Sequence, residues 1–198
     1  MEQEDPRTRI LDAAEELFYG QGVQAVGMDA VRAASGMTLR RVYQHFPSKN
    51  ELVEAYLRRR DGRWRASLAV HVAGAGGTPR DQVLAVFDWL GRWFAEPGFR
   101  GCAFVNAFGE LGATTPAVAA AARHHKEEFA GYLAGLVEAA GAPPATAAHL
   151  ALLAEGAITT AAIHGDPGAA ADAKEAARLL LDGSLDGGMD GGLGGARP

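Results

Sequence analysis

The sequence predicts an all-α protein, in which an N-terminal unit of three short helices precedes a larger helical bundle, about nine helices in all. Three observations carry this. Apolar residues recur at three- and four-residue spacing in almost every segment. Ser, Thr, Pro and Gly punctuate those segments at helix-length intervals. The period-two alternation of a half-buried strand is absent.

From Arg7 to Tyr19, Ile10, Leu11, Ala14, Leu17 and Phe18 share a face while Asp12, Glu15 and Glu16 fall between them, which predicts an amphipathic helix ended by Gly20 and Gly22. A second helix is expected from Met28 to Ser35, closed by Gly36 in a left-handed position. Thr38 can cap a third, Leu39 to His45, which must stop near Pro47 because the residue before proline disfavours helical geometry. Ser48-Lys49-Asn50-Glu51 is a capping-box pattern opening a fourth helix. Gly74 to Gly77 breaks the pattern and Thr78-Pro79 restarts it. The following helix, rich in Val83, Leu84, Val86, Phe87, Trp89, Leu90, Trp93 and Phe94, is apolar around more than half its circumference and is expected to be mostly buried. Further helices are expected over 103–111, 116–140, 143–163 and 169–181.

The 198 residues suffice for a well-buried core. Cys102 is the only cysteine, so no intramolecular disulfide forms, and the first residues lack the pattern of a secretory signal; the expected compartment is the cytoplasm. Gly, His or charged residues interrupt each apolar stretch before the roughly 20 residues of a membrane span, so no membrane partner is expected. The net charge of −5 is unevenly spread: residues 1–65 hold 11 Lys and Arg against 10 Asp and Glu, the remainder 8 against 14. Between Arg40 and Arg65 eight basic residues face three acids, a local field able to attract phosphate in an acidic chain.

The two short helices joined by Ser35-Gly36-Met37-Thr38 form a helix-turn-helix pattern, whose second helix would enter a DNA major groove. At about 100° per residue, Val42 and Phe46 share one face of it and Arg40, Arg41, Gln44 and His45 the other. A polar face of this kind can equally be plain solvated surface; the caps and breaker on either side, which hold it in one orientation, favour a docking surface.

The stretch "RILDAAEELFYGQGVQAVGMDAVRAASGM" running into "TLRRVYQHFPSKNELVEAYL" resembles the tetracycline-repressor-type (TetR) family of bacterial transcriptional regulators, over most of the first sixty residues. The Tyr43-x-x-Phe46-x-x-Lys49 spacing followed by Glu51-Leu52 is its most diagnostic part. The resemblance implies that the third helix reads an operator in double-stranded DNA, that the tyrosine and lysine touch phosphate, and that the rest of the chain is a ligand-binding, homodimer-forming helical bundle. It assigns DNA contact to Met28, Thr38, Leu39, Arg40, Arg41, Tyr43, Gln44, His45 and Lys49. Gly27 departs from the pattern, standing where a Ser or Thr usually caps the second helix. Arg40 replaces a commonly small residue, and its guanidinium can pair bidentately with guanine. Leu39 lies beside Val42 and Phe46 on the wheel, yet at a family position that faces DNA; both orientations stay open. "FRGCAFVNAFGEL" and "PAVAAAARHHKEEF" resemble a branch of the family whose sixth helix opens with a Gly-Cys-x-Phe-x-Asn segment, and that branch has no common ligand.

The expected partition is a DNA-binding domain over 1–50, a regulatory and dimerisation domain over 51–185 with residues 48–62 as connecting helix, and a Gly-rich flexible tail over 186–198. Phe87, Trp89, Trp93, Cys102, Phe104, Phe108 and Phe129 are candidate walls of an effector site for a small apolar or aromatic molecule, with Asn106, Glu110, His125 and His164 as polar anchors; packed core is the competing reading of each. On the last two helices His149, Leu152, Leu153, Gly156, Thr160 and Ile163, with Leu180 in the Leu179–Leu181 run, form a small-residue and apolar stripe suited to a two-fold interface. No cofactor, metal set or catalytic constellation is expected, because adjacent His124 and His125 point about 100° apart on a helix and nothing organises Cys102 as a nucleophile. The expected function is therefore a ligand-released homodimeric repressor rather than an enzyme; the alternative is a helical-bundle carrier or thiol enzyme without DNA binding.

Overall fold

The structure is a computed structural model and describes residues 5–186; the expected tail beyond Asp186 lies outside the described residues. Among the described residues the chain forms nine α-helices and no strand. They are α1 Pro6–Gln21, α2 Met28–Ser35, α3 Leu39–His45, α4 Lys49–Ala75, α5 Pro79–Phe94, α6 Ala103–Leu111, α7 Pro116–Ala139, α8 Pro144–His164 and α9 Ala169–Asp186.

The caps read in the sequence are present, with instructive differences. Gly20 is helical, and α1 runs on to Gly22, whose φ of 90° lies outside L-residue geometry and whose N–H closes the last turn on Phe18 O. Gly36 is left-handed (φ 66°), and the Thr38 hydroxyl accepts from Arg41 N at 3.3 Å. At Ser48 only half of the capping box forms: its hydroxyl accepts from Glu51 N at 3.2 Å and donates to the Glu51 carboxylate at 3.1 Å. The reciprocal box stands instead at Thr78 and Asp81, where each side chain accepts from the other's backbone N–H, at 3.2 and 2.9 Å. α4 continues past the expected 48–62 connector to Ala75, since Gly62 inside a helix costs only about 1 kcal/mol.

By their packing the residues divide into two compact units, one of Met1–Trp64 with Cys102–Lys126, the other of Arg65–Gly101 with Glu127–Pro198. In the first, Ile10, Ala14, Phe18, Val31, Val42, Leu52, Val53 and Tyr56 are buried, together with Phe104 and Ala107. The Phe18 and Tyr56 rings meet at 5.7 Å. In the second, α5, α8 and α9 pack on one another and bury Val83, Val86, Phe87, Leu90, Leu150, Ala154, Ile158 and Leu181.

The tertiary structure overturns one electrostatic expectation. The basic run of α4 is occupied by acids: Glu15 takes Arg59, Arg60 and Arg63 at 2.7, 3.1 and 3.2 Å, Arg58 pairs with Glu54 at 2.6 Å, and Arg65 with Glu128 at 2.8 Å. Glu15 sits one helical turn from Asp12, which holds Arg59 at 2.9 Å, so α1 neutralises the run from across the unit. Those arginines add little field for phosphate.

A second expectation also needs correction. α8 is, among the described residues, long and apolar enough to cross a membrane by length and composition, because its alanines outweigh His149 and Glu155. It packs on α5 and α9 within its unit, burying Leu150, Ala154, Ala157, Ile158 and Ala161.

Candidate functional site

α3 is seven residues long, too short to persist alone, and its orientation comes from two buried anchors, Val42 and Phe46. The Arg7 guanidinium lies over the Phe46 ring at 4.8 Å and seals that side. Everything else on α3 turns outward: Thr38, Leu39, Arg40, Arg41, Tyr43 and Gln44 are exposed and His45 is half-buried. Leu39, undecided on the wheel, is 36% exposed, so it joins the outer face rather than the core. Neither the Arg40 nor the Arg41 guanidinium has a hydrogen-bond or ion-pair partner among the described residues, so the outer face of α3 carries uncompensated positive charge. Met28, at the start of α2, is half-buried.

Lys49 is placed differently from a free phosphate-seeking lysine. Its ammonium donates to Gln24 O at 3.4 Å, and burial holds its pKa below the usual lysine value, an effect opposed by the Glu110 carboxylate. Glu110, offered by the sequence as a polar anchor of an effector site, has another role. Its carboxylate accepts from Val23 N at 3.1 Å and Gln24 N at 2.6 Å, and its backbone carbonyl accepts from the Gln24 amide. These two backbone donors lie in the connection between α1 and α2, so the end of α6 is clamped to the frame of the helix-turn-helix. Nothing in the local sequence signals a contact spanning 86 or 87 residues.

One turn up the same helix, α6 and α7 flank an open cavity of about 330 Å³, lined by Phe104, Val105, Phe108, Ala119, Ala122, Arg123 and Lys126. Of the wall residues expected from sequence, Phe104 and Phe108 line it. His125 stands behind Phe104: it is 3% exposed, its ring stacks on Phe104 at 3.8 Å and meets Trp64 edge-on at 4.9 Å, and Nδ1 bonds to Asp61 Oδ1 at 2.8 Å. It is a satisfied core histidine that fixes the Phe104 wall. Cys102 is buried, with its Sγ 3.4 Å from Lys126 Nζ. Asn106 is exposed on α6.

The other aromatic candidates belong to the second unit. Phe87, Trp89 and Trp93 are buried along α5, Trp89 donating to Ser67 Oγ at 3.1 Å and stacking on Trp93 at 5.6 Å; Phe129 is buried on α7, and His164 is exposed at the end of α8. Their helical spacing is that of core, which sequence cannot distinguish from a pocket wall. On the same unit His149, Leu152, Gly156, Thr160 and Ile163 are exposed along α8, with Leu152 at 71% and Ile163 at 74%. Leu153 and Leu180 are half-buried, Leu179 is exposed, and Leu181 turns into the core instead of extending the stripe.

Residues 10–56 match the family of bacterial regulatory proteins, tetR family. A transcriptional regulator of the helix-turn-helix type from Pseudomonas putida, SrpR, is 43% identical over 56 residues, which is 28% of this chain and 26% of that relative's length. Likeness to solved structures runs through about nine-tenths of the chain. A TetR-family transcriptional regulator from Streptomyces coelicolor superposes with a TM-score of 0.83 at 30% identity, covering 90% of this chain and 95% of that one. A TetR-type regulator from Streptomyces avermitilis superposes with a TM-score of 0.76 at 31% identity, covering 92% and 99%. With the outward-facing α3, the helix-turn-helix frame and this likeness over most of its length, the chain belongs to the TetR family of DNA-binding transcriptional regulators.

Proposed function

We propose that the chain is a homodimeric repressor that reads a palindromic operator through α3 and releases it when a small molecule occupies the α6–α7 cavity. The observation that carries this reading is the outer face of α3, where Arg40, Arg41, Tyr43 and Gln44 point away from the Val42–Phe46 anchor, both guanidinium groups being unpaired among the described residues. Arg40 is placed by type to pair with guanine O6 and N7 in the major groove, Leu39 to touch a thymine methyl, and Gln44 to address adenine. Tyr43 and Lys49 take phosphate, which positions the helix without reading sequence. For Lys49 this requires exchange of the Gln24 carbonyl for a phosphate oxygen.

The exposed α8 stripe of Leu152, Gly156 and Ile163, with Leu179 of α9, supports a two-fold helix-pair interface, and two-fold symmetry in turn makes a palindromic operator the natural target. Effector and DNA are linked through α6. Phe104 and Phe108 form one wall of the cavity, and Glu110 on the next turn holds Val23 and Gln24. A ligand that moves α6 therefore moves the clamp, and DNA must weaken that ligand's binding by the same free energy with which the ligand weakens DNA binding. A cytoplasmic site of action, without cofactor, goes with this reading.

Selection of bound sequences from random DNA tests it. The expected result is an inverted repeat whose two halves are each protected by one protomer. Enrichment of a single half-site, or retention of DNA without sequence preference, would refute the proposal.

A further inference from the structure

The first turns of α1 carry two arginines, Arg7 and Arg9, that reach opposite ends of α3 from outside its exposed face. Residues two apart on a helix do not face the same way, and these two diverge accordingly. Arg7 lies over the ring of Phe46, the residue that ends α3. Arg9 turns to the other end: its Nη2 donates to the backbone carbonyl of Ser35, the last residue of α2, at 2.9 Å. That carbonyl is one of the last four of its helix, which have no partner within the helix, and a cation there also meets the negative end of the helix dipole. Gly36 follows with φ 66°, and a Cβ on it would stand 3.1 Å from the same guanidinium nitrogen. The guanidinium therefore packs against the turn as well as bonding to it. Arg9 has no acidic partner among the described residues, so the Ser35 carbonyl is its anchor. Its own backbone is held by the core, since the next residue, Ile10, is buried.

We propose that Arg9 is a positioning residue for operator recognition: it locks the α2–α3 turn to α1, sets the pose of α3 in the groove, and so governs sequence discrimination without touching a base. The inference rests on the reading of DNA by α3 given above. The Val42–Phe46 anchor decides which face of α3 turns outward, while the turn decides where its first residues lie. Arg40 and Arg41 stand in that first turn, directly after the segment that Arg9 holds. A binding constellation works when held within about 0.5 Å of its productive geometry, and one bidentate contact separates the right base from the wrong one by about tenfold or more. A turn that drifts loses this factor first. Phosphate contacts carry no sequence information, so affinity for DNA in general survives the drift.

Fluorescence anisotropy on the full chain tests this with two duplexes, the one selected from random DNA by the parent protein and a scrambled duplex of equal length. Arg9→Met should lower the affinity ratio between them about tenfold, leave binding to the scrambled duplex and its salt dependence unchanged, and raise amide exchange across Gly36–Thr38. Arg9→Lys keeps a charged donor and should restore most of the ratio. Gly36→Ala, strained at its left-handed position and crowding the guanidinium, should cost more discrimination in the parent than in the Arg9→Met background. It also carries the comparison in a chain that retains Arg9, should Arg9→Met not fold. An equal loss on both duplexes, with a salt slope shallower by about one, marks Arg9 as a phosphate contact and overturns the inference. Equal ratios for the Lys and Met variants, or strictly additive losses from the two positions, overturn it as well. A parent chain with no preference between the duplexes refutes the reading by α3 and the inference with it, whereas a preference that survives Arg9→Met overturns the inference alone.

Discussion

Replacing Glu110 by Ala removes the carboxylate that joins α6 to the α1–α2 connection, and the outcome follows from two hydrogen bonds. A hydrogen bond to a charged group contributes about 1.5–3 kcal/mol when its donor is shielded, and far less when water replaces the acceptor. Val23 N–H, at 3.1 Å, is part-buried, so its loss costs about 1.5 kcal/mol; Gln24 N–H, at 2.6 Å, is exposed and adds about 0.5 kcal/mol. The sum of about 2 kcal/mol lowers the Tm by roughly 4–8 °C in a chain of this size, and raises amide exchange at Val23 and Gln24 by about thirtyfold where local opening dominates. Glu110→Gln keeps a carbonyl acceptor and should lose about half as much. Thermal melts by circular dichroism and hydrogen exchange by mass spectrometry provide the two readouts, with operator anisotropy as the functional one. Glu110→Ala should bind operator more weakly and respond less to any effector. Unchanged melting and exchange, or equal damage by Gln and Ala, would refute the clamp.

Other outcomes follow from the same geometry. Tyr43→Ala should weaken all DNA sequences alike, whereas Arg40→Ala should relax one base position, at a cost of about 1–3 kcal/mol on the preferred site; binding-site selection with each variant distinguishes them. Lys49→Met should reduce DNA affinity without lowering stability, because burial depresses the lysine pKa and so makes its charged form slightly unfavourable in the folded state. In the parent chain that penalty is present at neutral pH and is relieved as pH rises through the depressed pKa toward the unfolded value near 10.5; pH-dependent melts of parent and variant compare it directly. Leu152→Arg with Ile163→Arg places charge on the exposed α8 stripe and should leave each protomer folded while abolishing the dimer in sedimentation.

Much of the molecule was readable as local pattern. The Thr38 cap, the left-handed Gly36 and the Thr78–Pro79 start are each decided by residues within a few positions, and the structure has them. Other readings stopped where a residue's partner is remote. The basic run of α4 looks like a phosphate-attracting stretch until Asp12 and Glu15, more than forty residues away, occupy it. His125 looks like an anchor until Asp61 and Phe104 enclose it. Trp89 and Trp93 have the spacing of core and of pocket equally, and only burial separates the two.

The sequence by itself determined the all-α class, the helix-turn-helix and the family, because caps, breakers and the Tyr43–Phe46–Lys49 spacing act over one or two helical turns. The tertiary structure alone decided which charges stay unpaired, which aromatics stay open and where α6 grips the helix-turn-helix. It placed Leu39 outside, Leu181 inside, Arg123 and Lys126 beside Phe104, and Glu110 on Val23 and Gln24. The physical reason is range. Helix signals are set by neighbours along the chain, whereas charge pairing and burial depend on segments far apart in sequence that only folding brings together.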